Sequence, residues 1–483
     1  MNLINQSIIG LTLLSLLTAC GGETNSDEKE GGDFSGIPNS GIDSEPEGSG
    51  SEVNEPEVNE PVISRSWSQS EFLELDGGDT SIPSVDINNL GASVVAWAQE
   101  DGTDVNVKVA YSASGESWTT STLNSVNTKT EMESANYRYI RSSFASAKIN
   151  DAGSALAAWS FQDKEDNSLN GIAVSQFDIN TKSWASQTVI SRNSEGIYDS
   201  LSLELNESGK GAVVWAQVSE GSKTLYLSTY SPLNQAWSEP SALASGNIGA
   251  PQVVLSSTGE ITVVFLEYFN DLPARHLYSM TVSASGIASE KKQMDTQSTY
   301  PAEHTLTINQ SDRKILTWTQ KADSNGQLDP WVSISEGGEW GESMQIDSIY
   351  GRSSAPQATL INNTGELLLV WTDARSGNNN SIYRGLFSAV LSPEGLLSEI
   401  ENLKNSDAYV PNLVNPENGT IWLAWGGVTI GSFKNGQWAD KRWGFATYAR
   451  GGVKIDAAKN GEGLAVWVNS QGGSQNLKYS KLK

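Results

Sequence analysis

Eight times along this chain, a residue in a polar turn is followed six positions later by a large aromatic ring. The pairs are Gly91/Trp97, Gly153/Trp159, Gly209/Trp215, Gly259/Phe265, Asp312/Trp318, Gly365/Trp371, Gly419/Trp425 and Gly461/Trp467. Successive aromatics lie between 42 and 62 residues apart, yet the offset inside each pair never changes. A fixed local geometry repeated at a period of about 50 residues marks an array of one supersecondary unit.

Each copy reads as a hairpin. A β-rich run such as Ser84–Asn88 enters a turn of the NNLG, NDAG, NESG or NNTG kind, whose Asn and Gly tolerate positive φ. The chain leaves the turn as SVVAWA, ALAAWS, AVVWAQ, LLLVWT or LAVWVN, apolar on consecutive residues. A strand with one wet face alternates, so these strands are expected to be buried on both faces, as between stacked sheets. A barrel, whose outer face meets water, fits less well.

A third strand follows (Val105–Tyr111, Leu225–Tyr230, Ile382–Phe387), and a second aromatic landmark opens a fourth: Trp118, Trp184, Trp237, Trp340 and Trp438. The last repeat stops after its third strand, at Lys483. Ser66-Trp67-Ser68-Gln69-Ser70, ahead of the first hairpin, is similar to Ala236-Trp237-Ser238-Glu239-Pro240 and supplies the missing fourth strand. Termini that share a blade close a ring and remove its edge strand. The expectation is an all-β fold: an eight-bladed β-propeller of four-stranded blades over residues 64–483. The hairpin tryptophans are then core, because burying one indole per blade is a packing code.

The N-terminus reads as an address. Ile8–Leu17 is an apolar stretch of signal-peptide length, too short to span a bilayer. It ends in Leu17-Thr18-Ala19-Cys20, which resembles the lipobox of bacterial lipoproteins, although MNLINQS before it lacks Lys and Arg. The resemblance implies a signal peptide over 1–19, cleavage before Cys20, and covalent lipid on that cysteine as a stable membrane anchor. Gly21, where Asp would favour inner-membrane retention, implies the outer membrane. Residues 20–63 then form a tether: from 21 to 63 there are 12 acidic residues against Lys29 alone, with abundant Gly, Ser and Pro. Such a segment cannot bury enough apolar surface to offset its ordering entropy.

The turn before each fourth-strand Trp occupies the place of the Asp-box, Ser-x-Asp-x-Gly-x-x-Trp, of sialidase-like propellers. Ser112-Ala113-Ser114-Gly115-Glu116-Ser117-Trp118 is similar but lacks the Asp and one residue of spacing. The resemblance implies fold, not activity, because neither an Arg-Ile-Pro near the first strand nor a Tyr–Glu nucleophile pair is present.

Chemistry-bearing residues are sparse. Cys20 is the only cysteine, so neither an internal disulfide nor a thiolate metal cluster can form. His276 and His304 are too few for a typical zinc site, and neither neighbours a nucleophile motif. The acidic loops at 99–104, 161–171 and 320–329 lack EF-hand spacing and read as solvated turns. No catalytic residue, metal or cofactor other than the lipid on Cys20 is expected. A net charge of −26 argues against nucleic acid as a partner.

One pattern points to a ligand. Tyrosines and arginines recur in segments that propeller topology places at one mouth: Arg138 and Arg141, Tyr198, Tyr350 with Arg352, and Arg450, joined by Asp373 and Arg375 from the second-to-third-strand loop of the sixth blade. Arginine offers a bidentate fork to carboxylates or sulfates, and tyrosine a platform for sugars or peptides. The expected function is a non-catalytic binding or scaffold module on the envelope, for an anionic glycan or an envelope protein. The alternative is a glycan-active enzyme, a glycosidase or polysaccharide lyase, on a sialidase-like propeller.

Overall fold

The eight turn residues share one backbone state. Gly91, Gly153, Gly209, Gly259, Gly365, Gly419 and Gly461 all have φ between 78° and 94°, and Asp312, which replaces glycine, has φ 60°. This left-handed conformation costs a Cβ-bearing residue energy, so the repeat is a turn requirement written eight times. These values come from a computed structural model that describes residues 65–483 apart from 76–77, 102–103, 125–127, 130–144, 164–169, 194–200, 220, 270–274, 297–299, 322–325, 348–351, 362–364, 377–381, 405–409, 440–441, 447–448 and 470–474.

The described residues are all-β, with every strand paired antiparallel. Each turn joins a short first strand to a long second one, such as Ser84–Ile87 to Ser93–Asp101 and Ser202–Leu205 to Gly211–Ser219. A third strand pairs on the far side (Asp104–Ser112, Ser222–Ser231) and a short fourth strand follows. The same meander occurs eight times. Hydrogen bonding groups the strands into seven sheets, because the 15-residue strand Ser241–Leu255 ends the third meander and begins the fourth. The last meander ends in Asn476–Leu482 and takes its outer strand from the N-terminal side, Glu71 opposite Tyr479 and Trp67 bridged to Leu482.

The core lies between neighbouring sheets. Trp97, Trp159, Trp215, Phe265, Trp318, Trp371 and Trp467 are fully buried, and Trp425 is 2% exposed. Val94 to Ala98 are buried on successive residues, which shows that second strands have two dry faces. The fourth-strand tryptophans are half-buried and tie sheet to sheet: Trp340 Nε1 donates to Ser279 Oγ and Trp438 Nε1 to Ser388 Oγ, both at 2.9 Å.

First strands lie against first strands. Ser84–Ile87 contacts Ala145–Ile149 on one side and Arg450–Ala457 on the other, and Ala302–Ile308 contacts Ser241–Leu255 and Arg352–Leu360. Their outward backbone N–H groups are taken up by side chains of the preceding first strand: Leu306 N–H by Gln252, Leu413 N–H by Gln357 and Ile455 N–H by Asn412. The turns are linked as well. Asn88 Nδ2 donates to Asn150 O, Asn150 Nδ2 to Asn206 O, and Asn206 Nδ2 to Ser256 O, at 2.9, 3.2 and 2.8 Å. The Oδ1 of each Asn accepts from its own turn, at Ala92, Ser154 and Lys210 N–H. Each buried amide is thereby satisfied at both ends, and consecutive turns are held at one face.

Candidate functional site

Half of the Arg/Tyr mouth expected from sequence lies outside the described residues. Cys20, Arg138, Arg141, Tyr198 and Tyr350 lie outside the described residues. Arg352 begins the strand Arg352–Leu360 opposite Ala374, and Arg450 begins Arg450–Ala457 opposite Val468. Asp373 and Arg375 are expected in the second-to-third-strand loop, but the structure places them in a strand. They belong to the strand Leu367–Ser376, paired with Gly385 and Tyr383. Asp373 is 1% exposed, so its carboxylate is an interior group rather than part of an open mouth. It stands two residues after Trp371, where Gln99, Gln217 and Gln320 stand after Trp97, Trp215 and Trp318 and accept the indole N–H. That shared position explains its burial.

A different constellation is well formed at the same end of the strands. Ile261–Tyr268 and Arg275–Val282 are a second and third strand, with Glu267 opposite His276. His276 Nδ1 lies 2.8 Å from Asp295 Oδ2, and the Asp295 side chain is wholly buried while that of His276 is 18% exposed. Asp295 Oδ1 accepts Leu277 N–H at 2.8 Å, and Gln293 Nε2 lies 3.3 Å from Asp295 Oδ2. The carboxylate is therefore fixed by backbone and amide. Nδ1 faces this carboxylate and, at 3.1 Å, the Gln293 amide nitrogen, so the ring is held through Nδ1 and presents Nε2 to an incoming group.

Aromatic rings wall the imidazole. Phe269, 40% exposed, meets it edge-on at 5.4 Å, and Tyr278 lies 6.2 Å away. Burial raises the Tyr278 phenol above its ordinary pKa, helped by the charges of Glu267 and Asp295. Lys291 Nζ sits 4.5 Å over the Tyr278 ring and 2.5 Å from Glu267 Oε2, with its side chain 39% exposed. The site thus offers an oriented base, a phenol and a cation, and both carboxylates, Glu267 and Asp295, are already engaged. His276 and Asp295 are 19 residues apart, Asp295 in the bend that follows the short strand Lys292–Gln293, and only the pairing of that strand with Arg275–Val282 makes them neighbours.

A second charged cluster lies on the first strands. Lys148 Nζ is 3.1 Å from Glu204 Oε1 and 3.5 Å from Asp86 Oδ1, with all three side chains between 16% and 26% exposed. Asp86 Oδ2 accepts Ile149 N–H, and Asp456 Oδ2 accepts Ile87 N–H. Burial, with the Asp86 charge second, pushes the Asp456 carboxyl up to about 7. Burial also raises Asp86 and Glu204. Burial pulls Lys148 down, but Glu204, Asp86 and Asp456 together hold it above its ordinary value. Because Asp86 and Asp456 are spent on backbone N–H groups of neighbouring first strands and Glu204 on Lys148, the cluster joins strands rather than facing a ligand.

No family model and no curated protein matches the chain. Among solved structures it is similar to a polysaccharide lyase described as a PL25 ulvan lyase bound to a GlcA–Rha3S unit, at 10% identity and TM-score 0.48, over 86% of this chain and 95% of that one. It is also similar to the Fusarium graminearum α-L-arabinofuranosidase Arb93A, at 13% identity and TM-score 0.40, over 59% of this chain and 92% of that one. A Dyadobacter fermentans protein described as of unknown function is similar at 10% identity and TM-score 0.41, over 87% and 100% of the two chains.

Proposed function

We propose that this chain is a lipid-anchored protein of the bacterial outer membrane whose body is a closed eight-bladed β-propeller, and that it cleaves an anionic glycan by elimination at His276. Closure is supported by the succession of first-strand neighbours, which runs through every meander and returns from Arg450–Ala457 to Ser84–Ile87. The outer strand shared by the two termini supports it too. The lipid anchor rests on Leu17-Thr18-Ala19-Cys20.

The reaction rests on one observation: the 2.8 Å contact between His276 Nδ1 and a wholly buried Asp295. A carboxylate-oriented imidazole with an open Nε2 is a general base. A two-carboxylate hydrolase needs an ionised and a protonated carboxyl facing each other across a substrate. Here Glu267 is paired with Lys291 and Asp295 with His276, so base chemistry is favoured over paired-carboxylate hydrolysis. Nε2 takes the proton α to a uronate carboxylate. The C–H electron pair forms the ring alkene, and the glycosidic C–O bond at the β position breaks. The departing oxygen is protonated by solvent or by the Tyr278 phenol. Lys291 offset the charge that builds on the carboxylate.

The binding reading shares this face. Arg352, Arg375 and Arg450 stand at strand ends that the topology brings to the same side as His276. Incubating the full-length chain with uronate-rich polysaccharides separates the two. Wild type is expected to release ultraviolet-absorbing unsaturated chain ends, with a loss of roughly 10²–10⁴-fold in His276→Gln at unchanged melting temperature. Retention of the polymer by both proteins, with no product from either, would instead leave a binding module.

A further inference from the structure

Large aliphatic side chains protrude at the tips of turns on one face. Leu233 is 96% exposed, Ile287 72%, Leu396 71% and Leu90 64%. Leu90 lies in a first-to-second-strand turn, and the others lie between third and fourth strands. In a four-stranded meander both kinds of turn fall at the same end. Contacts between neighbouring meanders bring these ends together: Lys182 pairs with Glu116 at 3.0 Å, Ser114 Oγ donates to Glu462 at 2.8 Å, and Asn89 N–H donates to Asp151 at 2.7 Å. The chain also enters here. Arg65 Nη2 donates to Asn460 O at 2.6 Å, in the last first-to-second-strand turn, and Ser66 N–H donates to Lys483 O at 3.1 Å.

We propose that this turn face is a membrane-docking surface, whose turn-tip aliphatics enter the interfacial layer of the bilayer that holds the chain's own lipid. The proposal extends the lipid-anchor reading above and rests on it for the identity of the surface. Four aliphatics spread over the first, third, fourth and sixth meanders do not form a compact epitope. They share a face, as contact with a plane requires. The described chain begins at Arg65 on that same face, so an anchor upstream of it would hold the tips at high effective concentration near lipid and individually weak insertions would add. Partition carried by aliphatics should resist salt, unlike attraction between charges.

The lipidated full-length chain in phosphatidylethanolamine/phosphatidylglycerol vesicles provides the test. A polarity-sensitive dye is placed at Leu233→Cys, and at Val410→Cys as a control beyond the opposite ends of the strands, where Val410 is 44% exposed. Quenching by spin-labelled lipid should be severalfold stronger at position 233 than at 410 and insensitive to salt. Adding Ile287→Ser and Leu396→Ser should weaken partition by about tenfold per residue, with melting unchanged because both side chains are solvated. The parent chain reports on the anchor separately, since a lipidated Cys20 takes up no dye. If it labels, the lipid-anchor reading fails, and the same cysteine pair in a Cys20→Ala background with added vesicles still decides the surface. Equal quenching at the two positions, or shielding of 233 that needs a second protein, would overturn the proposal.

Discussion

Asp456 Oδ2 accepts the backbone N–H of Ile87 at 2.9 Å, so a carboxylate of the last first strand holds the edge of the first one. The bond joins residues 369 positions apart at the junction where the two ends of the fold meet. Its acceptor is a poorly solvated acid beside Asp86, held at about 7.

Stability should therefore depend on pH through Asp456. A carboxyl whose folded pKa is raised favours the protonated folded state, so its contribution is fully present below its unfolded value near 3.8 and is lost as pH rises through about 7. Asp456→Asn keeps an oxygen for Ile87 and removes the charge. Thermal melting should show the variant about 1–2 kcal/mol more stable than wild type at pH 8, with the difference vanishing by pH 4. A destabilised variant at pH 8 would mean that the ionised acid is needed at the junction.

Lys148 is expected to behave in the opposite way. Three carboxylates depend on its charge. Lys148→Met leaves Asp86, Glu204 and Asp456 uncompensated, which costs about 3–5 kcal/mol for a buried pair stripped of one partner. Chemical denaturation at pH 7 should show a loss of that size, shrinking as the medium is acidified and the acids take up protons. A loss independent of pH would point to packing of the lysine stem instead.

Sharing of the last sheet between the termini is testable by truncation. Trp67 is 6% exposed and packs edge-on against Trp422 at 5.6 Å. Trp67→Ala should cost about 3–5 kcal/mol, as for other buried aromatics cut to alanine. Removal of 64–75 should cost more, because the Asn476–Leu482 strand loses its outer neighbour. Removal of 22–60 should leave the melting temperature nearly unchanged. Similar melting of the two truncations would show that the N-terminal strand is dispensable.

Much of the strand layout was legible because its causes are local. A left-handed turn admits Gly, Asn or Asp within four residues, and a doubly buried strand must be apolar on consecutive positions. Gly91 and Trp97 carry both messages without reference to the rest of the chain. The position of Ser66–Ser70 was legible too, since a fourth-strand tryptophan with no preceding strand has to find one at the other terminus.

The candidate site was not legible, and neither was the stitching between sheets. Asn88 and its counterparts read as turn formers, which they are through Oδ1. That Nδ2 reaches the next turn's carbonyl depends on the spacing of the sheets. Asp86, Lys148 and Asp456 look like ordinary polar positions on half-buried strands. Asp373 reads from sequence as part of the second-to-third-strand loop, but its register beside Gly385 buries it. His276 and Asp295 carry no joint motif, because the offset that brings their side chains within 2.8 Å is set by strand pairing. Short-range backbone preference and burial period are properties of a few consecutive residues, so the chain alone determined its turns and strands. Which charged groups meet depends on how sheets distant in sequence pack, and only the tertiary structure decided that.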